Sequence, residues 1–262
     1  MIRALILQLL ASISMASGAV SADCQNLPPM AADAHPHFEV ATIKPTDPND
    51  SSTGFHINGH RIFIENETVN NMITFAFAVH SEQIVDGPRW FATDHYDVKG
   101  VPDVDGQPNV TQMRQMVQDL LEERLHIRFH RDKRELLVYA ITVAKNGPRL
   151  SKSKSDPGAL PDQTGGGDGH HGFRMRFTNN SMTDFALGLQ FFVDRPVLDE
   201  TGLTGKYDFV LDWERNELPS NDPDAPPEIF TAIQEQLGLK LEPKKDSAEV
   251  LVIDHAERPS EN

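Results

Sequence analysis

The sequence predicts an α+β fold, internally duplicated into two pseudo-equivalent β-β-α-β-α-β-β units with mainly antiparallel sheets. Three observations predict it. The segment Asn66-Glu67-Thr68-Val69-Asn70-Asn71-Met72 reappears as Asn179-Asn180-Ser181-Met182-Thr183-Asp184-Phe185, an offset of 179 − 66 = 113. Downstream, Asp86 answers to Asp199, Trp90 to Leu203, and Tyr96-Asp97 to Tyr207-Asp208, the last at 207 − 96 = 111, so one loop is two residues shorter. Finally Leu121, Leu125, Ile127 and Phe129 match Ile233, Leu237, Leu239 and Leu241 at 233 − 121 = 112.

The elements follow from period and punctuation. Phe38 to Pro45 alternates apolar with polar and reads as a strand stopped by proline. Phe55 to Glu65 alternates on both sides of Asn58-Gly59, which marks a hairpin. Asn66 or Thr68 caps a helix whose apolar face is Val69, Met72, Ile73, Phe75, Ala76 and Val79. Asp86-Gly87-Pro88 is a turn and Tyr96 to Lys99 a short strand. Asn109 or Thr111 caps a second helix carrying Met113, Met116, Val117, Leu120 and Leu121 on one face. Leu125 to His130 alternates as a strand, Asp132 to Glu135 reads as its turn, and Leu136 to Val143 as its hairpin partner. Ser151 to Gly172 is rich in Lys, Ser, Asp and Gly and holds too little apolar surface to fold.

The second unit repeats the order. Phe173, Met175 and Phe177 mark a strand, Met182 to Phe192 a helix and Tyr207 to Trp213 a strand. Ile229 to Leu237 marks a helix, and Leu239 to Glu242 with Val250 to Asp254 a final hairpin. The expected domain plan is a leader at 1–22, a tail at 23–37, a first unit at 38–145, a flexible insert at 146–172 and a second unit at 173–262 that shares strand 137–145.

The first residues have the pattern of an export signal. Arg3 precedes an apolar stretch from Ala4 to Ala16, and Val20-Ser21-Ala22 offers the small residues a signal peptidase reads. Cleavage after Ala22 is expected, with no membrane insertion afterwards. Asp23 disfavours a lipid anchor on Cys24. Removing residues 1–22 removes one positive charge, so the remaining chain carries −15 − 1 = −16. That balance disfavours nucleic acid and anionic lipid, which need a positive footprint. Cys24 is the single cysteine, so no intramolecular disulfide forms.

Several stretches together resemble a family of exported bacterial proteins, abundant in acidobacteria, known as a Solibacter-type domain of unknown function. They are Phe38 to Pro45, Gly87-Pro88-Arg89-Trp90, Asp97, Leu120 to Arg134, Leu137 to Leu150, Arg195 to Phe209 and Ala232 to Asn262. The resemblance implies secretion and an αβ fold, and transfers no activity, cofactor or catalytic residue. Some relatives are joined to membrane zinc peptidases of the beta-lactam-sensor type; this chain lacks their His-Glu-x-x-His signature. Phe230 to Asp254 is also similar to the short N-terminal domain of secretins and outer-membrane receptors, a protein-contact module.

Candidate sites are few. Thr201 to Asp208 contains Gly202 and Gly205-Lys206, but a phosphate loop needs four residues between its first glycine and Gly-Lys, and here two intervene. The stretch reads as a tight connection into a strand. His126 and His130 sit four apart on a strand, roughly 13 Å at ~3.3 Å per residue, too far for one ion. His56 with His60 and the His170-His171 pair are the other histidine groupings, and no structured metal site or cofactor is expected. No nucleophile motif of the Gly-x-Ser-x-Gly type occurs. The binding candidates are Arg89, Trp90, Asp97, Asp208 and Trp213. The tryptophans serve as aromatic anchors or pack over a sheet. The aspartates hold their strand ends, or meet as a carboxylate pair in a cleft between the units. The expected function is a non-enzymatic binding or sensing module of the cell envelope, periplasmic or extracellular, with an envelope protein or glycan as partner. The alternative is a carboxylate-dependent envelope hydrolase.

Overall fold

The computed structural model describes residues 27–50, 52–156, 159–167, 172–214 and 226–260; the expected leader, Cys24 and the His170-His171 pair lie outside them. The first half runs β1 (Phe38–Pro45), β2 (Gly54–Asn58), β3 (Arg61–Thr68), α1 (Val69–Phe77), β4 (Ile84–Val85), α2 (Trp90–Thr93), β5 (His95–Pro102), α3 (Val110–Leu125) and β6 (Arg128–Val143). The second runs β7 (Ser151–Lys152), β8 (Asp162–Gly167), β9 (Gly172–Asn180), α4 (Met182–Leu189), β10 (Val197–Asp199), β11 (Tyr207–Glu214), α5 (Ile229–Ala232) with a π-helical turn at Ile233–Leu237, and β12 (Leu239–His255). The result is an α+β fold of mostly antiparallel sheets.

Local chemistry sets the helix starts. Thr68 Oγ1 accepts from the Asn71 amide at 3.1 Å and opens α1. Asn109 exchanges bonds with Gln112 to open α3, and Ser181 does the same with Asp184 at α4. Each bond satisfies a first-turn N–H that the helix leaves without a partner. Of the alternative caps in the sequence, Thr68 and Asn109 are the ones used. The Asn58-Gly59 hairpin forms as expected, with Asn58 facing Arg61.

Two outer sheets share one strand order. The first is β1-β5-β3-β2 and the second β7-β11-β9-β8: opening strand, closing strand, then the two strands of the hairpin position. The Gly-rich stretch therefore does not stand outside the fold, as its composition suggests. β8 pairs with β9 from Asp162↔Thr178 to Gly167↔Phe173. An edge strand is held by backbone hydrogen bonds on one side and needs little apolar surface. At Gly165, φ is 146° and an added Cβ would lie 2.0 Å from the Arg174 carbonyl oxygen, so the close approach requires glycine.

The central sheet, ordered β10-β6-β12-β4, corrects the two expected hairpins. Asp132 to Glu135 does not turn. β6 and β12 are each one long strand, paired antiparallel from Leu239↔Val143 to His255↔Arg128. The helix-plus-hairpin shape compared above with a secretin domain is consequently not formed. The charge-rich middles that read as turns form a solvated ladder. Lys245 meets Glu135 at 2.6 Å, Arg131 meets Glu249, and Lys244 reaches Glu200 at 2.7 Å.

The ends of these strands carry the packing. β6 starts beside the first core through Phe129, with Ile127 just before it, and ends in the second through Tyr139 and Ile141. β12 does the reverse: Leu239 and Leu241 lie in the second core, Leu251 and Ile253 in the first. At about 1.5–3 kcal/mol per buried aliphatic side chain, this exchange fastens each half to the other. The short strands follow suit, β4 pairing with β12 and β10 with β6, both parallel. The register is symmetric about the pair Glu135↔Ser247, whose members are 247 − 135 = 112 apart. Nearby, His80 Nε2–H donates to the Val193 carbonyl at 3.2 Å and Gln190 Nε2 to the Ala78 carbonyl at 3.1 Å, residues separated by 113 and 112.

Candidate functional site

Strand β7, the start of α4 and the loop from β10 to β11 converge on an open cleft of about 990 Å³ in the second half. The loop is built by its own side chains. Asp199 Oδ1 accepts from the Thr201 amide at 3.0 Å and the Thr201 hydroxyl at 2.8 Å. Its other oxygen accepts from the Thr183 hydroxyl at 3.2 Å, which ties the loop to α4. Thr201 Oγ1 then accepts from the Leu203 amide at 3.1 Å. Gly202 sits between them at φ 67°, a turn conformation that favours glycine.

The strand beneath is pinned by Asp208. Its carboxylate accepts from the Asn179 amide at 2.8 Å, where Asn179 adopts φ 56° at an irregularity of the β9–β11 ladder. That backbone N–H, with help from the Ser153 hydroxyl, holds the Asp208 carboxyl below the usual carboxylate range. Asn179 Nδ2 donates to the Ala159 carbonyl at 2.6 Å, and Ser181 Oγ donates to Asp184 at 2.6 Å. The acids and most hydrogen-bonding groups of the wall are thus engaged in holding it.

The remaining groups have another character. Among the described residues, Lys152 Nζ, Thr204 Oγ1 and Tyr207 Oη line the cleft without a hydrogen-bond partner. Lys206 Nζ has only a long contact of 3.4 Å to the Ala159 carbonyl. The cleft therefore presents two ammonium groups, hydroxyls and the side chain of Leu203 to a ligand.

The residues singled out in the sequence are placed otherwise. Asp97 and Asp208 lie in different outer sheets, and no hydrogen bond joins them. Asp97 does in the first half what Asp208 does in the second: it accepts from the Asn66 amide at 2.9 Å and the Thr46 hydroxyl at 2.7 Å, with Asn66 at φ 54°. The carboxylate pair between the units does not form. Trp213 is no surface anchor, being 4 % exposed, stacked on Phe173 at 5.3 Å and edge-on to Phe192 at 5.0 Å. Alternation along β11 turns it into the second core.

Trp90 opens α2, half-buried against the first core, with Phe91 edge-on at 4.7 Å. Its face is covered by the Arg258 guanidinium at 5.7 Å, which also meets Asp94 at 2.9 Å. Arg89 stands exposed just before it. The histidines do not gather: His130 pairs with Asp254 at 2.9 Å, His56 faces Glu65 at 3.5 Å, and His60 donates to the Pro102 carbonyl at 3.1 Å. Among the described residues no group of three or more His, Cys, Asp or Glu is arranged to hold a metal.

Sequence reasoning missed Lys152, Thr204, Lys206 and Tyr207 as a set. The available signal was Gly202, Gly205 and Lys206 in the loop from Asp199 to Asp208, which have no counterpart in the loop around Trp90. Among the described residues no helix is long and apolar enough to cross a membrane. No curated protein and no solved structure matches the chain significantly. The family resemblance is firmer: residues 70–256 match the description "Protein of unknown function (DUF3738)", well over half the sequence, and the chain belongs to that family.

Proposed function

We propose that this protein is an exported, non-enzymatic binding module of the bacterial cell envelope or its surroundings, and that the cleft of the second half is where it binds. The observation that carries the reading is the division of labour in that cleft. Asp199, the acid that lines it, accepts from Thr201 and Thr183, and Asp208 on the strand beneath holds Asn179, while the ammonium groups of Lys152 and Lys206 and the hydroxyls of Thr204 and Tyr207 are suited to contact a ligand. A carboxylate held low and multiply bonded is a poor proton shuttle. The leader-like segment and the charge of −16 without it support export and solubility rather than nucleic-acid or anionic-lipid contact. The partner is an envelope glycan or protein.

Two measurements test this. Expression of the full chain in a bacterial host, with fractionation and intact-mass analysis, is expected to give a species beginning after Ala22 outside the cytoplasm; an unprocessed cytoplasmic protein overturns export. The processed chain, immobilised and exposed to envelope extracts, is expected to retain a glycan or protein without altering it. Turnover of that component overturns the non-enzymatic reading.

A further inference from the structure

The ligand class follows from the charge of the cleft against the charge of the chain. The protein carries a net −15, yet this cleft is lined by Lys152, whose ammonium has no hydrogen-bond partner, and by Lys206, whose ammonium makes one long contact of 3.4 Å to the Ala159 carbonyl. Among its lining residues two lysines stand against one carboxylate, Asp199. Asp199, the acid of the same wall, already accepts three hydrogen bonds, from Thr201 twice and from Thr183. A local excess of positive charge in a concave site draws an anion and raises its local concentration.

The neighbours narrow the anion. The loop lacks the spacing of a phosphate cradle, and among the described residues no arginine lines the cleft to make the bidentate contact that phosphate favours. Instead the lysines stand beside the hydroxyls of Thr204 and Tyr207 and the half-buried side chain of Leu203. Hydroxyl groups beside an aliphatic surface match a sugar, whose rim is polar and whose ring face is apolar. A volume of about 990 Å³ is near the top of the range for small-ligand sites, roughly 300–1,000 Å³, and fits an oligomer better than one small ion.

Resting on the binding-module reading, we infer that this cleft takes a short acidic saccharide, its carboxylate met by Lys152 and Lys206 and a ring face laid against Leu203. Specificity then comes from two sources. The ammonium groups reject neutral sugars, and the hydroxyl and aliphatic wall rejects bare anions.

Titration calorimetry on the processed chain tests this with three probes: trigalacturonate, its neutral methyl ester and inorganic phosphate. Trigalacturonate is expected to bind at least about tenfold more tightly than either of the others, the size of one lost charge-assisted hydrogen bond. Lys152→Glu and Lys206→Glu, both at exposed or rim positions, are expected each to weaken it by a similar factor, while Lys152→Arg and Lys206→Arg retain it. Leu203→Trp introduces the residue that the first half carries at the equivalent place, and is expected to abolish binding while leaving the thermal midpoint within a few degrees. Equal binding of the ester, equal binding by the Glu variants, phosphate as the tightest probe, or no trigalacturonate binding at all each overturn the inference. If the wild-type and Glu variants retain the same envelope component, the binding-module reading stands and the acidic-saccharide assignment falls.

Discussion

The loop leading into the closing strand of each outer sheet takes two courses. In the first half it runs from Asp86 to Asp97 and folds into α2, laying Trp90 and Phe91 over the core, with Arg258 on the outer face of Trp90. In the second half it runs from Asp199 to Asp208, two residues shorter by (97 − 86) − (208 − 199) = 2, and forms no helix. Leu203 replaces the indole, and a cleft lies beside it. The frame around the two loops is the same: an aspartate on the closing strand holds the amide of an asparagine at positive φ. One scaffold thus supports a filled face and an open one. Among the differences are two residues of length, the turn of helix at α2 and the exchange of Trp90 for Leu203.

Perturbing the two tryptophans should separate core from cover most strongly. Trp213→Ala is expected to cost about 3–5 kcal/mol by urea denaturation, as for a buried aromatic. Trp90→Ala, half-buried beneath an arginine, is expected to cost roughly half as much. Equal losses would break the contrast between a filled loop and a true core.

Next come the shared pins. Asp97→Ala and Asp208→Ala each strand a backbone amide and are expected to cost about 1–3 kcal/mol, with the two values close to each other. Asp208 adds a pH signature. Its folded carboxyl is held low, so its stabilisation is present above the unfolded carboxylate value of about 3.9 and is lost as pH falls through the lower folded value. The stability of Asp208→Ala should therefore depend less on pH in that acidic window.

Smaller effects lie where the halves meet. Burial depresses the His80 pKa, and its neutral ring both accepts from the Glu82 amide and donates to the Val193 carbonyl. The unfolded chain takes up this proton first, so stability should decline as pH drops below about 6.5 toward the folded value. His80→Gln should remove that part of the decline in a pH series of thermal melts. The smallest change concerns Glu67, whose carboxyl burial pushes up, where the second half carries the neutral Asn180. Glu67→Gln is expected to stabilise by less than about 1 kcal/mol at neutral pH, with no gain below the ordinary glutamate range. A loss at neutral pH would mean that the Asn71–Glu67 bond outweighs the burial cost.

Features governed by neighbours in sequence were legible. The caps at Thr68 and Asn109 and the Asn58-Gly59 hairpin each depend on residues within four positions, and each formed. The long strands were not legible. Asp132-Lys133-Arg134-Glu135 has the composition of a turn, and what straightens it is a strand more than a hundred residues away whose charges answer its own. The Gly-rich edge strand was hidden for a similar reason, since backbone pairing leaves no apolar trace. The cleft depends on three segments, around Lys152, Ser181 and Leu203, that meet only after the sheet has closed. The role of Asp97 and Asp208 as strand-end holders was readable, because the tyrosine-aspartate pair recurs beside an asparagine that must turn.

The exchanged central ladder also sets a clock. Its pairs join residues from 239 − 143 = 96 to 255 − 128 = 127 positions apart, so the first half cannot cover β6, or complete its own core with Leu251 and Ile253, until the last strand exists. Closing so long a loop precedes any reward from the contacts it brings, which slows folding. During synthesis the long strand waits with the edge that β12 will take bare, and β12 acts as the clasp that commits both halves at once.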